Sequence, residues 1–149
     1  ALFHLTKPTH DYFGQKDYQQ KLVIKRLVED LRLDVRLRVL PTVRERDGLA
    51  MSSRNLYLSP SQRRHAAVLY RALRASRARI RSGERRAAAL VSHMRRLIKE
   101  IPGARIDYVA VVDAATLAPV ERLRGRTALL VGAWVGRTRL IDNLLVGVS

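Results

Sequence analysis

The sequence predicts an α/β protein: a βαβ portion of a parallel sheet, followed by a small α+β domain of two helices and a three-stranded antiparallel sheet. Three observations carry this. A strand-like, a helix-like and a second strand-like segment follow one another within residues 9–40. A Ser-Pro pair at 59–60 then opens a long Ala/Leu/Arg-rich helical stretch. Three β-rich segments close the chain after Pro102-Gly103.

The elements follow in order. Residues 9–14 end a short strand that Gly14 stops. Asp17 is placed to cap a helix over 17–32, in which Tyr18, Leu22, Leu27 and Leu31 keep near-helical spacing. Residues 34–40 alternate, with Val35, Leu37 and Val39 on one face, Arg36 and Arg38 on the other, and Pro41 as the stop. Strand, helix and strand at this spacing form a βαβ unit, and one such unit is too small to fold alone. Ser59 reads as an N-cap with Pro60 at the first helical position, giving a helix to about Ser82 that ends near Gly83. A second helix is expected from Glu84 to Glu100, then strands at 106–113, 127–135 and 138–145. Gly136-Arg137 makes a tight hairpin between the last two.

Composition excludes several classes. The 149 residues contain no Cys, so disulfides and thiolate metal sites are absent. The longest apolar run, 128–135, is too short to span a bilayer as a helix. The net charge is +16, and residues 61–105 alone supply +11 of it, with 13 Lys/Arg against 2 Asp/Glu. Such a basic segment raises a nucleic-acid reading. Only Tyr70 within it could stack on a base, however, so a solvated arginine-rich helix face is the favoured reading.

Two stretches could carry chemistry. In "YFGQKDYQQ", residues 12–20, Lys16 and Asp17 stand at a strand-to-helix turn, the edge of a parallel sheet where ligands bind. Lys16 can neutralise phosphate oxygens, and Gln20 lies one turn further along the same face. The plainer alternative leaves Asp17 as a cap and Lys16 in solvent. In "GLAMSSRN", residues 48–55, Gly48 allows unusual backbone angles, Ser52 and Ser53 offer hydroxyls, and Arg54 adds a fixed positive charge. A polar turn leading into a helix would look the same. His4, His10, His65 and His93 are scattered without metal-ligand spacing. Trp134 and the stretch 138–143 read as core and strand-end hydrogen bonding, with Asp142 and Asn143 stabilising the sheet terminus.

Taken together, "YFGQKDYQQ", "VLPTVRERDGLAMSSRNLYLS" (39–59) and "RLIDN" (139–143) resemble the pantothenate synthetase (pantoate–β-alanine ligase) family, in that order and at family-like separations. The resemblance implies the last βαβ portion of a Rossmann-like nucleotidyltransferase domain at 1–43. It also implies a C-terminal α+β domain at 44–149, with a mobile ATP-closing loop at 46–55. The implied enzyme is an AMP-forming ligase, assisted by Mg²⁺, that joins pantoate and β-alanine through pantoyl adenylate. Carried over by position, Gly14, Gln15, Lys16 and Asp17 would lie along ATP, Gln20 would bind pantoate, and Val43 would contact the adenine side. Met51, Ser52, Ser53 and Arg54 would form the phosphate-closing loop, with Lys16, Ser52, Ser53 and Arg54 as the catalytic set. A cytoplasmic homodimer is implied as well. Position 15 is Gln where the family often has Glu. The family's His-x-Gly-His signature occurs nowhere in these 149 residues. The expectation is therefore a C-terminal half of such an enzyme, inactive by itself. The other expectation is a basic nucleic-acid-binding module built on the same fold.

Overall fold

The computed structural model describes residues 42–149 in full and the backbone of residues 10–14 and 36–40. The chain divides into two compact units, Ala1–Thr42 and Val43–Ser149. In the first, β1 (His10–Gly14) pairs in parallel with β2 (Arg36–Leu40), His10 opposite Arg36 and Gly14 opposite Leu40. A parallel pair cannot be joined by a tight turn and needs a crossover between its strands. The helix expected over 17–32 lies outside the described residues.

The second unit begins with a short hairpin and a 3₁₀ turn, Ser53–Tyr57. Three helices follow: α1 (Pro60–Ala66), α2 (Val68–Arg81) and α3 (Ala87–Ile98). Then come β3 (Ala104–Asp113), β4 (Gly125–Val135) and β5 (Thr138–Val148), antiparallel in the order β3-β4-β5. The expected two-helix, three-strand domain is present, with local differences that have physical causes. The first helix is interrupted at Ala67, whose N–H turns to the carbonyl of His65. The second starts at Ala87 rather than Glu84. Residues 85–87 are engaged by the 121–123 segment, with Ala87 N–H donating to Glu121 O at 2.9 Å and Leu123 N–H to Arg85 O at 2.9 Å.

α1 is entered through a full capping box: Ser59 Oγ accepts from Gln62 N at 3.2 Å, and Gln62 Oε1 accepts from Ser59 N at 2.9 Å. α2 buries Val68, Leu69, Ala72, Leu73, Ser76 and Ile80, and α3 buries Ala87, Leu90, Met94 and Ile98. Both sets recur at three-to-four-residue spacing and form single stripes. These stripes pack on Val109, Val111, Leu129, Val131, Val135 and Leu140 of the sheet, which makes one core. β4 is the central strand, paired along both edges, and nearly its whole apolar run is buried. The arginines at the ends of α2 and α3, Arg79, Arg81, Arg95 and Arg96, face solvent. There they complement the partial negative charge of the helix C-termini. No helix among the described residues is long and apolar enough to cross a membrane.

Between α2 and α3, Glu84 gathers the chain ends. Its carboxylate accepts from Arg86 Nε at 3.2 Å and from the backbone N–H of Arg86 and Arg85 at 2.9 and 3.0 Å. The Arg86 side chain, followed by these backbone donors, holds the Glu84 carboxyl at about 2 against its ordinary 4.5. Because the folded value is depressed, the stabilisation is complete above the unfolded value and is lost as pH falls through about 2. A carboxyl-carbon NMR titration should therefore place Glu84 near 2, and Arg86→Ala should move the midpoint up towards 4.5.

Candidate functional site

The segment 43–51 folds back on itself. Met51 N–H donates to Val43 O at 2.9 Å, Glu45 N–H to Leu49 O at 2.8 Å, and Gly48 N–H to Glu45 O at 2.9 Å. The last bond closes a turn whose final residue, Gly48, has φ +94°. This is the three-residue hairpin that demands a left-handed residue after the turn. Glycine is required there for a second reason. A Cβ on Gly48 would fall 2.2 Å from Cδ1 of Tyr70, so the α2 aromatic ring lies directly on the glycine backbone.

Side chains anchor this hairpin at both ends. Arg44, on its first leg, forms a two-pronged ion pair with Asp142 of β5, at 2.6 Å to Oδ2 and 3.0 Å to Oδ1. The same guanidinium donates to Gly48 O at 3.1 Å and lies 3.8 Å from the centroid of the Tyr70 ring. Asp142 is 3% exposed, so its charge depends on these donors and on the Asn143 N–H at 2.8 Å. At the tip, Asp47 accepts from both terminal nitrogens of Arg63 in α1, at 2.7 and 3.1 Å. The Arg63 bond is the chief reason why the Asp47 carboxyl lies below its ordinary range. Buried Leu49 and Ala50 seat the second leg.

The Ser-Ser-Arg sequence leaves this hairpin in a defined way. Ser52 caps the 3₁₀ turn, with its Oγ accepting from Arg54 N at 3.2 Å. Asn55 Nδ2 ties the turn back to Ala50 O at 3.1 Å. Ser53 and Arg54 are exposed, and no carboxylate pairs with Arg54 among the described residues. Val43 and Met51, bonded across the hairpin, hold apolar side chains 65% and 51% exposed. The hairpin and turn thus present an apolar pair, hydroxyls and an unneutralised guanidinium along one short stretch. Such a set suits a ligand with a flat apolar part and an anionic part.

Gly14 ends β1, whereas Gln15, Lys16, Asp17 and Gln20 lie outside the described residues. Val43, Met51, Ser52, Ser53 and Arg54 fall together on the hairpin and turn. The sequence reading missed Arg44 and Tyr70, and it gave Asp142 a role at the sheet terminus. Asp142 sits within β5, opposite Val131, and its partner is the hairpin. An acidic residue in mid-strand, with Leu140, Ile141, Leu144 and Leu145 around it, was the available signal.

The fold first defines the class. The chain superimposes on the crystal structure of pantothenate synthetase from Thermus thermophilus with a TM-score of 0.91 and 45% identity, over 96% of this chain and 51% of that one. A ligase from Francisella tularensis, described as complexed with beta-gamma ATP and beta-alanine, matches with a TM-score of 0.65 and 30% identity. That match covers 97% of this chain and 46% of that one. Pantothenate synthetase of Moorella thermoacetica is 53% identical over 148 residues, 99% of this chain and 52% of that protein. The architecture is therefore one that this chain shares with part of these ligases. The family described as Pantoate-beta-alanine ligase matches residues 1–145, and the chain belongs to it. It spans about half the length of the curated relatives it matches. These comparisons give no support to the nucleic-acid reading of residues 61–105.

Replacing Asp142 with Asn keeps the shape but leaves Arg44 without its counter-charge. We expect a loss of about 3 kcal/mol in urea unfolding, with faster amide exchange at Glu45 and Met51. A stability within error of the parent would show that the pair does not hold the hairpin.

Proposed function

We propose that the chain performs the ATP-dependent steps of pantothenate synthesis as part of a pantoate–β-alanine ligase. In this reading the pantoate carboxylate attacks the α-phosphorus of ATP, the bond to pyrophosphate breaks, and pantoyl adenylate forms. The β-alanine amine then attacks the acyl carbon and expels AMP, giving pantothenate after loss of a proton. The observation that carries the reading is the Ser52-Ser53-Arg54 turn, held next to an anchored hairpin with Arg54 unneutralised among the described residues.

Gly14, Gln15, Lys16 and Asp17 lie along ATP, and Gln20 hydrogen-bonds pantoate. Val43 contacts the adenine side, and Met51 leads the phosphate-closing loop of Ser52, Ser53 and Arg54. Lys16, Ser52, Ser53 and Arg54 offset negative charge as it moves to the departing pyrophosphate, where a fixed donor contributes most. The guanidinium suits this role because it stays charged and matches two phosphate oxygens at once. Mg²⁺ belongs to this reading as an ion that would be carried mainly by the ATP phosphates and water and needs no protein cage of its own; among the described residues no three His, Asp or Glu side chains converge. No step is assigned to the metal.

The test replaces the matched part of the Moorella thermoacetica protein with residues 1–149 and follows AMP release dependent on ATP, pantoate and β-alanine. A folded but inactive chimera, beside an active parent, overturns the reading. Within an active chimera, Lys16→Ala and Arg54→Ala should each slow pyrophosphate release by roughly a hundredfold or more. An unchanged rate removes that residue from the mechanism. The same reading makes the enzyme a cytoplasmic homodimer, and a monomeric mass of the chimera by light scattering would refute the dimer.

A further inference from the structure

A second feature of the domain is not used by the hairpin. Across the sheet, Arg105, Trp134 and Arg139 occupy one row, because Arg105 and Arg139 are the register partners of Trp134 on β3 and β5. The Arg105 guanidinium carbon lies 5.7 Å from the Trp134 ring. The register shift between Ile106 and Tyr108 falls at Asp107, which accepts from Arg139 at 2.9 Å. The row ends at the β4–β5 turn, where Gly136 has φ +61°. A Cβ on Gly136 would lie 2.5 Å from Gln62 Nε2, so the first turn of α1 sits on the hairpin end.

Between this hairpin end and the Ser53–Tyr57 turn lies a cleft of about 680 Å³, lined by Arg54, Tyr57, Gln62, Trp134, Arg137 and Arg139. Among the described residues no carboxylate lines it, and only Arg139 of the three arginines has an acidic partner. With Arg139 compensated by Asp107, Arg54 and Arg137 leave the cleft a positive excess that an entering anion would neutralise. Gln62 spends its Oε1 on the Ser59 N–H, which leaves its amide nitrogen on the cleft side as a donor. Tyr57, 79% exposed, offers its ring as one wall of the cleft.

We propose that this cleft binds a diphosphate group, with Arg137 and Arg54 as its clamp, Gln62 as a neutral donor, and Trp134 and Tyr57 as walls. Guanidinium forks match phosphate oxygens in pairs, and a diphosphate supplies enough charge to engage two of them. The proposal rests on the adenylation reading only for the occupant's source. That reaction releases pyrophosphate, and Arg54 is common to both sites.

Trp134 is the only tryptophan in the chain, so its fluorescence reports the cleft alone. The 149-residue chain is titrated separately with inorganic pyrophosphate, ATP and AMP. Pyrophosphate and ATP should change the emission saturably, and the tighter of the two identifies whether the free or the nucleotide-borne diphosphate is the occupant. AMP should bind at least tenfold more weakly. Arg137→Ala, at an exposed turn position, should weaken pyrophosphate binding roughly tenfold or more, with Arg137→Lys in between and circular dichroism unchanged. No saturable change overturns the proposal, as does binding indifferent to Arg137 or AMP binding equal to that of pyrophosphate. Binding that disappears with Lys16→Ala but survives Arg137→Ala also overturns it, and leaves the adenylation reading intact. An inactive chimera combined with Arg137-dependent binding would do the reverse.

Discussion

The ion pair between Arg44 and Asp142 joins the two parts of the domain that chemistry would need to keep in register. Asp142 is a buried carboxylate within a strand, flanked by Leu140 and Leu144 and opposite Val131. An isolated charge in such a place is costly, and only a partner with several donors makes it tolerable. Arg44 supplies two bonds to it, a third to Gly48 O, and its flat face to Tyr70. One guanidinium thus fixes the hairpin leg, the hairpin turn, helix α2 and strand β5 at once. The Ser-Ser-Arg turn inherits its position from that arrangement, since Asn55 is bonded to the hairpin and Leu58 is buried in the core.

The basic excess has a different origin from the one its size suggests. In residues 61–105 the apolar positions are taken by the stripes of α2 and α3, and the arginines fill the solvent side and the helix ends. Arg63 and Arg85 are exceptions with structural duties. Arg63 holds the hairpin tip through Asp47, and Arg85 donates to Ile80 O at 2.7 Å near the end of α2. The segment therefore reads as a scaffold whose charge is spread along helix ends and faces, with no aromatic interleaving for bases to stack on.

Much of the architecture was legible because it depends on local rules. Ser59-Pro60 marked a helix start, and the structure realises it as a capping box with Gln62. The unbroken apolar run at 128–135 marked a strand, and nearly all of it is buried in β4. The break at Ala67 and the late start of α3 were not legible. The latter is imposed by a pairing with residues 121–123, which no local pattern announces. The hairpin and turn residues were recognised by their motif, but their anchor was not, because Arg44 and Asp142 are 98 positions apart. The cleft is hidden for the same reason: it is assembled from a 3₁₀ turn, the first turn of α1 and a β-turn far along the chain.

That separation also has a consequence in time. A contact between residues 44 and 142 closes a long loop, and such contacts form late because their entropy cost is met only when the intervening chain is ordered. During synthesis the Ser-Ser-Arg turn emerges long before β5 exists, so it spends that interval without its anchor. The helices can pair with each other while they wait, but the hairpin cannot be set until the last strand docks. The Ser-Ser-Arg turn is thus among the last parts of this domain to acquire its shape, and it stays unanchored until its sheet is whole.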